Sequence, residues 1–366
     1  MRAVLFVIIS AFVLSWGATG GKAVFAASPS AQPTSFIFRT PFAPAMAYGQ
    51  FYAAQELYWP KLNLDGTALP GKGSAAAVQT VGAGSEQMGY SDTVSLMNGI
   101  QQGMPVKILA VIGRRDPTGI VFMKDSGIRD IKDLVGKRVG SYPAGSTGSL
   151  FRATLRQNGI DERKVQIVNV PPGGEIPLLL ERKIDAVVNF TGAADTRLRC
   201  MGHKADSIAL AAFGLELYGQ AVFVNTKWAD QVGDDVVARA LLGIIQGSII
   251  VKQDAEQALR ILQKLNPEIK LDRFAEWGTQ QTFIRWGWHH ESPVVNKQGF
   301  GWVDEADMVK TQKVLIESGL LQKEIEAGDY YTNKYLKDPR VHQAAMEIAR
   351  TPWPEAPDDV KKKCGL

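Results

Sequence analysis

Residues 118–190 read TGIVFMKDSGIRDIKDLVGKRVGSYPAGSTGSLFRATLRQNGIDERKVQIVNVPPGGEIPLLLERKIDAVVNF. Short apolar runs alternate here with helix-spaced segments. TGIVFMKD reads as a strand, DIKDLVGK as a short helix and KRVGSY as the next strand. PAGSTGS is a glycine-containing loop that opens the helix LFRATLRQNG. VQIVNV, the loop PPGGE, the helix IPLLLERK and the strand IDAVVNF complete the run. This alternation predicts an α/β fold, with a parallel sheet and helices on both faces.

The same grammar extends in both directions. Upstream, FIFR is a strand, and a helix begins near Met46 with Tyr48, Phe51, Tyr52 and Leu57 near one face. Gly71–Gly73 is a turn, and Ser74 caps SAAAVQTVGAG. EQMGY is a short strand, SDT caps TVSLMNGIQQG, and VKILAVIG is a buried strand. Downstream, AVFVNTKW from Ala221 is one more strand, and beyond Asp230 every segment carries helical spacing.

The N-terminus predicts export. Arg2 is followed by an apolar run from Ala3 to Leu14, and Val24-Phe25-Ala26 fits a small-x-small cleavage site. The run is too short to span a bilayer, which needs ~20 residues. Residues 1–26 therefore read as a signal peptide, and the mature chain as a soluble periplasmic protein. An apolar content of 45% is enough for a packed core without staples. The net charge of +4 is scattered, which argues against nucleic acid. Four histidines without ligand spacing argue against a metal site. Export permits a disulfide between Cys200 and Cys364, and two free thiols fit the sequence as well.

Three strand ends run into polar loops that open helices: Ser91-Asp92-Thr93, Ala144-Gly145-Ser146-Thr147-Gly148 and Asn189-Phe190-Thr191-Gly192. Ligands of open α/β sheets bind beyond the carboxyl ends of strands, where free N–H groups and hydroxyls suit an anion or a carbonyl. Each such residue also serves as an ordinary helix cap. PAGSTGS lacks the lysine of a phosphate loop, and no GxSxG elbow occurs. Asp92 and Asp116 are the acids placed for proton chemistry, although caps and loops use the same residues. Phe42, Tyr48, Trp286 and Trp288 lie beside glycine or proline and are candidates for a wall against a flat ligand.

Several stretches carry a family resemblance. They are FAPAMAYGQFYAAQE (42–56), EQMGYSDTVSLMNGIQQGMPVKILAVIGRRDPTGIVF (86–122), SGIRDIKDLVGKRVGSYPAGSTGSLFRATLRQNGID (126–161), GWVDEADMVKTQKVLIESGLL (301–321) and DYYTNKYL (329–336). In order and spacing the chain resembles the periplasmic binding proteins of ABC importers for thiamine-precursor pyrimidines, sulfonates, taurine and nitrate. The pyrimidine branch is the most similar.

The resemblance implies a two-lobed type II periplasmic binding protein, each lobe a βα sheet with flanking helices. Residues 34–121 and 220–340 would form one lobe, 122–219 the other, and 341–366 a C-terminal helix and tail. It further implies a monomer without cofactor or catalysis. Such a protein would close on a small ring-bearing nutrient and present it to a membrane permease. A sulfonate, carboxylate or nitrate-like anion is the alternative ligand, and an exported enzyme or a sensor is the alternative class. The expected contacts are Arg39, Phe42, Tyr48, Ser91, Asp92, Thr93, Asp116, Thr118, Ser146, Thr147, Gly148, Asn189, Thr191, Tyr218, Trp286 and Trp288. The pyrimidine branch has an Asp-Trp pair after the first strand and a His at the following helix start. This chain has Arg39-Thr40-Pro41-Phe42 and Tyr48 there, so Arg39 is expected to favour a carboxylate or sulfonate.

Overall fold

Apolar runs of strand length build two five-stranded sheets in the computed structural model, which describes residues 32–142, 146–171, 173–288 and 292–366. The expected leader, Ala144-Gly145 and the His289-His290 pair lie outside the described residues. The first sheet contains β1 (Thr34–Thr40), β2 (Leu64–Pro70), β3 (Met88–Asp92), β4 (Val106–Gly113) and β10 (Gln220–Asn225), in the order β2-β1-β3-β10-β4. The second contains β5 (Thr118–Met123), β6 (Arg138–Ser141), β7 (Gln166–Asn169), β8 (Ala186–Phe190) and β9 (Ala205–Ala209), in the order β7-β6-β8-β5-β9.

Both sheets follow one plan. In each, the strand that has just crossed from the other sheet inserts antiparallel between two others. β10 lies between β3 and β4, and β5 between β8 and β9. The expected parallel sheets are therefore mixed, because a crossing strand enters from the end at which its neighbours finish. The pairing also moves one expected boundary. Residues 118–121, assigned from sequence to the first lobe, belong to β5 and pair in the second sheet.

The crossings are residues 114–117 and 217–219. They run side by side: Asp116 N–H donates to Leu217 O at 3.0 Å, and Gly219 N–H donates to Gly113 O at 2.9 Å.

Beneath the first sheet the helix Asp234–Gln253 buries one face. Trp59 is fully buried against it and donates its indole N–H to Ala240 O at 3.0 Å. Two glycines make the slot for this ring. A Cβ at Gly66 in β2 would stand 2.4 Å from Trp59, and one at Gly243 would also stand 2.4 Å from it. A continuous helical run, residues 273–288, then reaches across to the second sheet. It begins with Arg273–Thr279, widens to a π-helix over Gln280–Ile284, and ends with Arg285–Trp288. The two cysteines are bridged: Cys200, closing the helix Ala194–Cys200, is bonded to Cys364 in the helix Asp358–Cys364.

Gly243→Ala tests the tryptophan slot. A methyl group there forces Trp59 to shift, and overpacking of a dense core costs about 1–3 kcal/mol. Equilibrium denaturation should show a loss of that order with a red-shifted tryptophan emission. Wild-type stability would mean that the ring is not wedged.

Candidate functional site

The strand-end loops of the two sheets meet. Asp92, at the end of β3, caps the helix Thr93–Gln101 and accepts from Ser95 N–H at 2.7 Å. Its other carboxylate oxygen, Oδ2, accepts from Ser146 Oγ at 2.8 Å. Ser146 opens the helix Ser146–Gln157 of the second sheet, and Thr147 and Gly148 stand in its first turn. A helix start of one sheet thus touches a helix start of the other.

Aromatic rings from three parts of the chain also line up. Phe42 meets Phe190 edge-on at 6.4 Å, and Phe190 stacks on Phe283 at 5.7 Å. Phe42 follows β1, Phe190 ends β8, and Phe283 sits in the π-helix. Tyr48 is buried and packs edge-on to Tyr90 at 6.3 Å. Burial pushes its phenol pKa up, with Tyr52 and the carboxylate of Asp92 adding to the effect. A small crevice beside the first crossing is lined by Tyr90, Arg115, Gln220, Phe283 and Trp288. Gln220 is 4% exposed, and its amide nitrogen has no hydrogen-bond partner among the described residues. A buried unsatisfied donor costs about 1–3 kcal/mol, which makes this amide a candidate contact.

Asp116 sits in the first crossing, buried, and accepts from Thr118 N–H at 2.9 Å. Burial lifts its carboxyl to about 6 against the hydrogen bonds from Thr118, and the charge of Asp92 pushes the same way. Two carboxyl groups therefore serve this region, one of them proton-bearing in mild acid.

Other candidates hold the frame. Thr93 Oγ1 donates to Tyr218 O at 2.6 Å, and Thr191 Oγ1 donates to Pro117 O at 3.0 Å, so each ties a loop to a crossing. Thr118 is buried at the start of β5. Ser91 Oγ is buried and donates to Ser74 O at 3.3 Å. Asn189 Oδ1 accepts from Phe190 N–H at 2.6 Å.

Four expected contacts are engaged elsewhere. Arg39 is held by Glu86 and the Pro70 carbonyl, so its guanidinium is not a free anion receptor. The Tyr218 hydroxyl bonds Arg114 and Asp307 at 2.8 and 3.0 Å, directed at the helix Glu305–Glu317. Trp288 is a core ring packed on Phe300 and Trp353, with one edge on the crevice. Trp286 is half-buried under Arg115, 5.5 Å above its ring, and faces an open groove shared with Thr191. Gln220, Phe190 and Phe283 were missed as site residues. Only the position of Phe190 in a strand-end loop gave a signal.

Comparison with known proteins gives a family and a fold. The family model described as "NMT1/THI5 like" matches residues 46–258. The 4-amino-5-hydroxymethyl-2-methylpyrimidine phosphate synthase of Legionella pneumophila is 30% identical over 306 residues, 82% of this chain and 89% of that protein. The riboflavin-binding protein RibY of Chloroflexus aurantiacus is 23% identical over 329 residues, 85% of this chain and 89% of that one. Among solved structures, the alkanesulfonate-binding protein SsuA from Xanthomonas axonopodis pv. citri superposes with a TM-score of 0.60 at 15% identity, covering 83% of this chain and 99% of that chain. The chain thus has the two-lobed α/β fold of periplasmic binding proteins.

The Asp116 carboxyl gives a pH signature. An acid whose folded pKa is raised holds its proton in the native state while the unfolded chain releases it. Between about pH 4 and about pH 6 the unfolded state binds fewer protons, so this group makes stability fall as pH rises, with no further change above. Asp116→Asn should flatten that interval in denaturation curves taken against pH. An unchanged difference between wild type and variant across pH 4–7 would place the Asp116 carboxyl at an ordinary value.

Proposed function

Because the chain belongs to the NMT1/THI5-like family, we propose that it captures a small nitrogen-ring ligand between its two sheets and releases it unchanged. In this reading it is the periplasmic component of an ABC importer for a pyrimidine-like, thiamine-precursor-type nutrient. The observation that carries the proposal is the Ser146–Asp92 hydrogen bond, which joins a helix start of each sheet. The Phe42–Phe190–Phe283 wall, also drawn from both sheets, supplies the ring faces. A flat ligand would insert between those loops, exchange the Ser146–Asp92 bond for its own, and offer an acceptor to the Gln220 amide.

Charge favours a ring with N–H donors over an anion. The resemblance places an acid after β1, and this chain has none there. Asp92 and Asp116 bring carboxyl groups to the cleft from β3 and the first crossing instead. With Arg39 committed to Glu86, a sulfonate would face two carboxyls, with helix-start N–H groups and the Arg115 that lines the crevice set against them. A second reading, an enzyme, has one specific support: the Legionella relative is named a synthase.

Calorimetry and tryptophan fluorescence against aminopyrimidines, flavins, aromatic carboxylates, taurine and alkanesulfonates should separate these. Aminopyrimidines are expected to bind tightly and to be recovered intact by mass spectrometry. Ser146→Ala loses one hydrogen bond of about 0.5–1.5 kcal/mol and should weaken binding by roughly tenfold or less. Phe42→Ala and Asp92→Asn should weaken it as well. Tight binding of taurine or alkanesulfonates alone, tightened further by Asp92→Asn, would move the ligand to the sulfonates. A chemically altered ligand would make the protein an enzyme.

A further inference from the structure

We propose that the Cys200–Cys364 disulfide is a third covalent crossing between the two sheets, and that it limits how far the cleft opens. The inference rests on the cleft reading above but not on the identity of the ligand. The two backbone crossings are hydrogen-bonded to each other and form one narrow ribbon. A ribbon of that kind permits rotation about itself. A third link blocks such rotation if it lies off the ribbon and joins the same two bodies.

The disulfide meets both conditions. Cys200 ends the helix that follows β8, which is held to the second sheet by Ala194 and Leu198 in that sheet's core. Cys364 lies in a helix anchored to the first. Asp359 accepts from Arg273 at 2.8 Å, and Arg273 donates to Glu256 at 2.6 Å in the helix Ala255–Leu265, whose apolar face joins the first sheet's core. Both cysteines are buried. Their sulfurs lie 3.5 Å from Phe274 O, and a Cβ on Gly278 would stand 3.3 Å from one and 3.8 Å from the other. The far end of this run meets the ribbon, where Gly287 O accepts from Arg114 N–H at 2.8 Å. Gly278 is nine residues earlier, roughly 13 Å along a helix of 1.5 Å rise.

The clamped run also reaches the site. Glu276 accepts from Met46 N–H at 2.6 Å, at the head of the helix carrying Tyr48. Thr282 Oγ1 donates to Gly192 O, and a Cβ on Gly192 would meet Phe283 N at 2.8 Å. Residues 273–288 thus grip loops of both sheets while the disulfide holds the run in register with the second. Opening has to bend this run, and the wide π turn at Gln280–Ile284 is the place where its helical ladder is already irregular.

The test compares ligand-free oxidised protein with a Cys200→Ser/Cys364→Ser pair and with a Cys200→Ala/Cys364→Val pair, whose apolar side chains guard against a packing defect. Solution scattering should show a larger radius of gyration for the variants. Hydrogen exchange should speed up at least tenfold at the amides of Met46–Tyr48 and Gly192. Unchanged scattering and exchange in a folded variant, with only a lower melting temperature, would reduce the bond to a staple and overturn the proposal. If the serine pair fails to fold, the alanine–valine pair decides by the same two readouts. Because no ligand is added, failure of every compound in the binding panel leaves this outcome readable.

Discussion

The hydrogen-bonded pair of crossings constrains everything else in this molecule. With Asp116 bonded to Leu217 and Gly219 to Gly113, the chain passes between the sheets through one ribbon. Loops from either side are then moored to it. Thr93 reaches the Tyr218 carbonyl and Thr191 reaches the Pro117 carbonyl. These residues have the composition of a ligand-binding loop, and their hydroxyls are spent on positioning. In the proposed reading the groups that meet a ligand are fewer: Asp92 and Ser146, the ring faces of Phe42, Phe190 and Phe283, and the Gln220 amide.

The fold was legible where a strand is buried on both faces. β4, β5 and β8 form within the segments VKILAVIG, TGIVFMKD and IDAVVNF, because a strand covered on both faces is continuously apolar even where, like β4, it ends a sheet. β2 and β9 were not read at all, and both are edge strands. An edge tolerates Gly, Pro and Asp, so LDGTALP and ADSIA carry little strand signal. Gly66 has a further cause: it is small because Trp59 occupies the space its side chain would take. The residue that most obscures the strand in the sequence is the one that lets the strand pack.

The site was legible in its loops and illegible in its partners. Asp92 and Ser146 were placed by the rule that strand ends open helices, and the structure brings them to 2.8 Å. Nothing local distinguishes Phe283 from other apolar residues of a helical run, nor Gln220 from other polar strand residues. Their roles come from neighbours more than 90 positions away in the chain, as with Phe190 and Phe283. Arg39 illustrates the reverse error. Its position beside the site suggested an anion receptor, but Glu86, 47 residues on, had already claimed its charge.

The inserted crossing strands also set an order of assembly. β5 to β9 are contiguous in the chain, so every strand of the second sheet is present once residue 209 has been made. The first sheet has no such independence. β3 and β4 are separated by the place that β10 fills, and β10 begins only at Gln220. Until then β3 and β4 lack the strand that joins them. All strands of the second sheet are therefore available before the first sheet can be joined between β3 and β4.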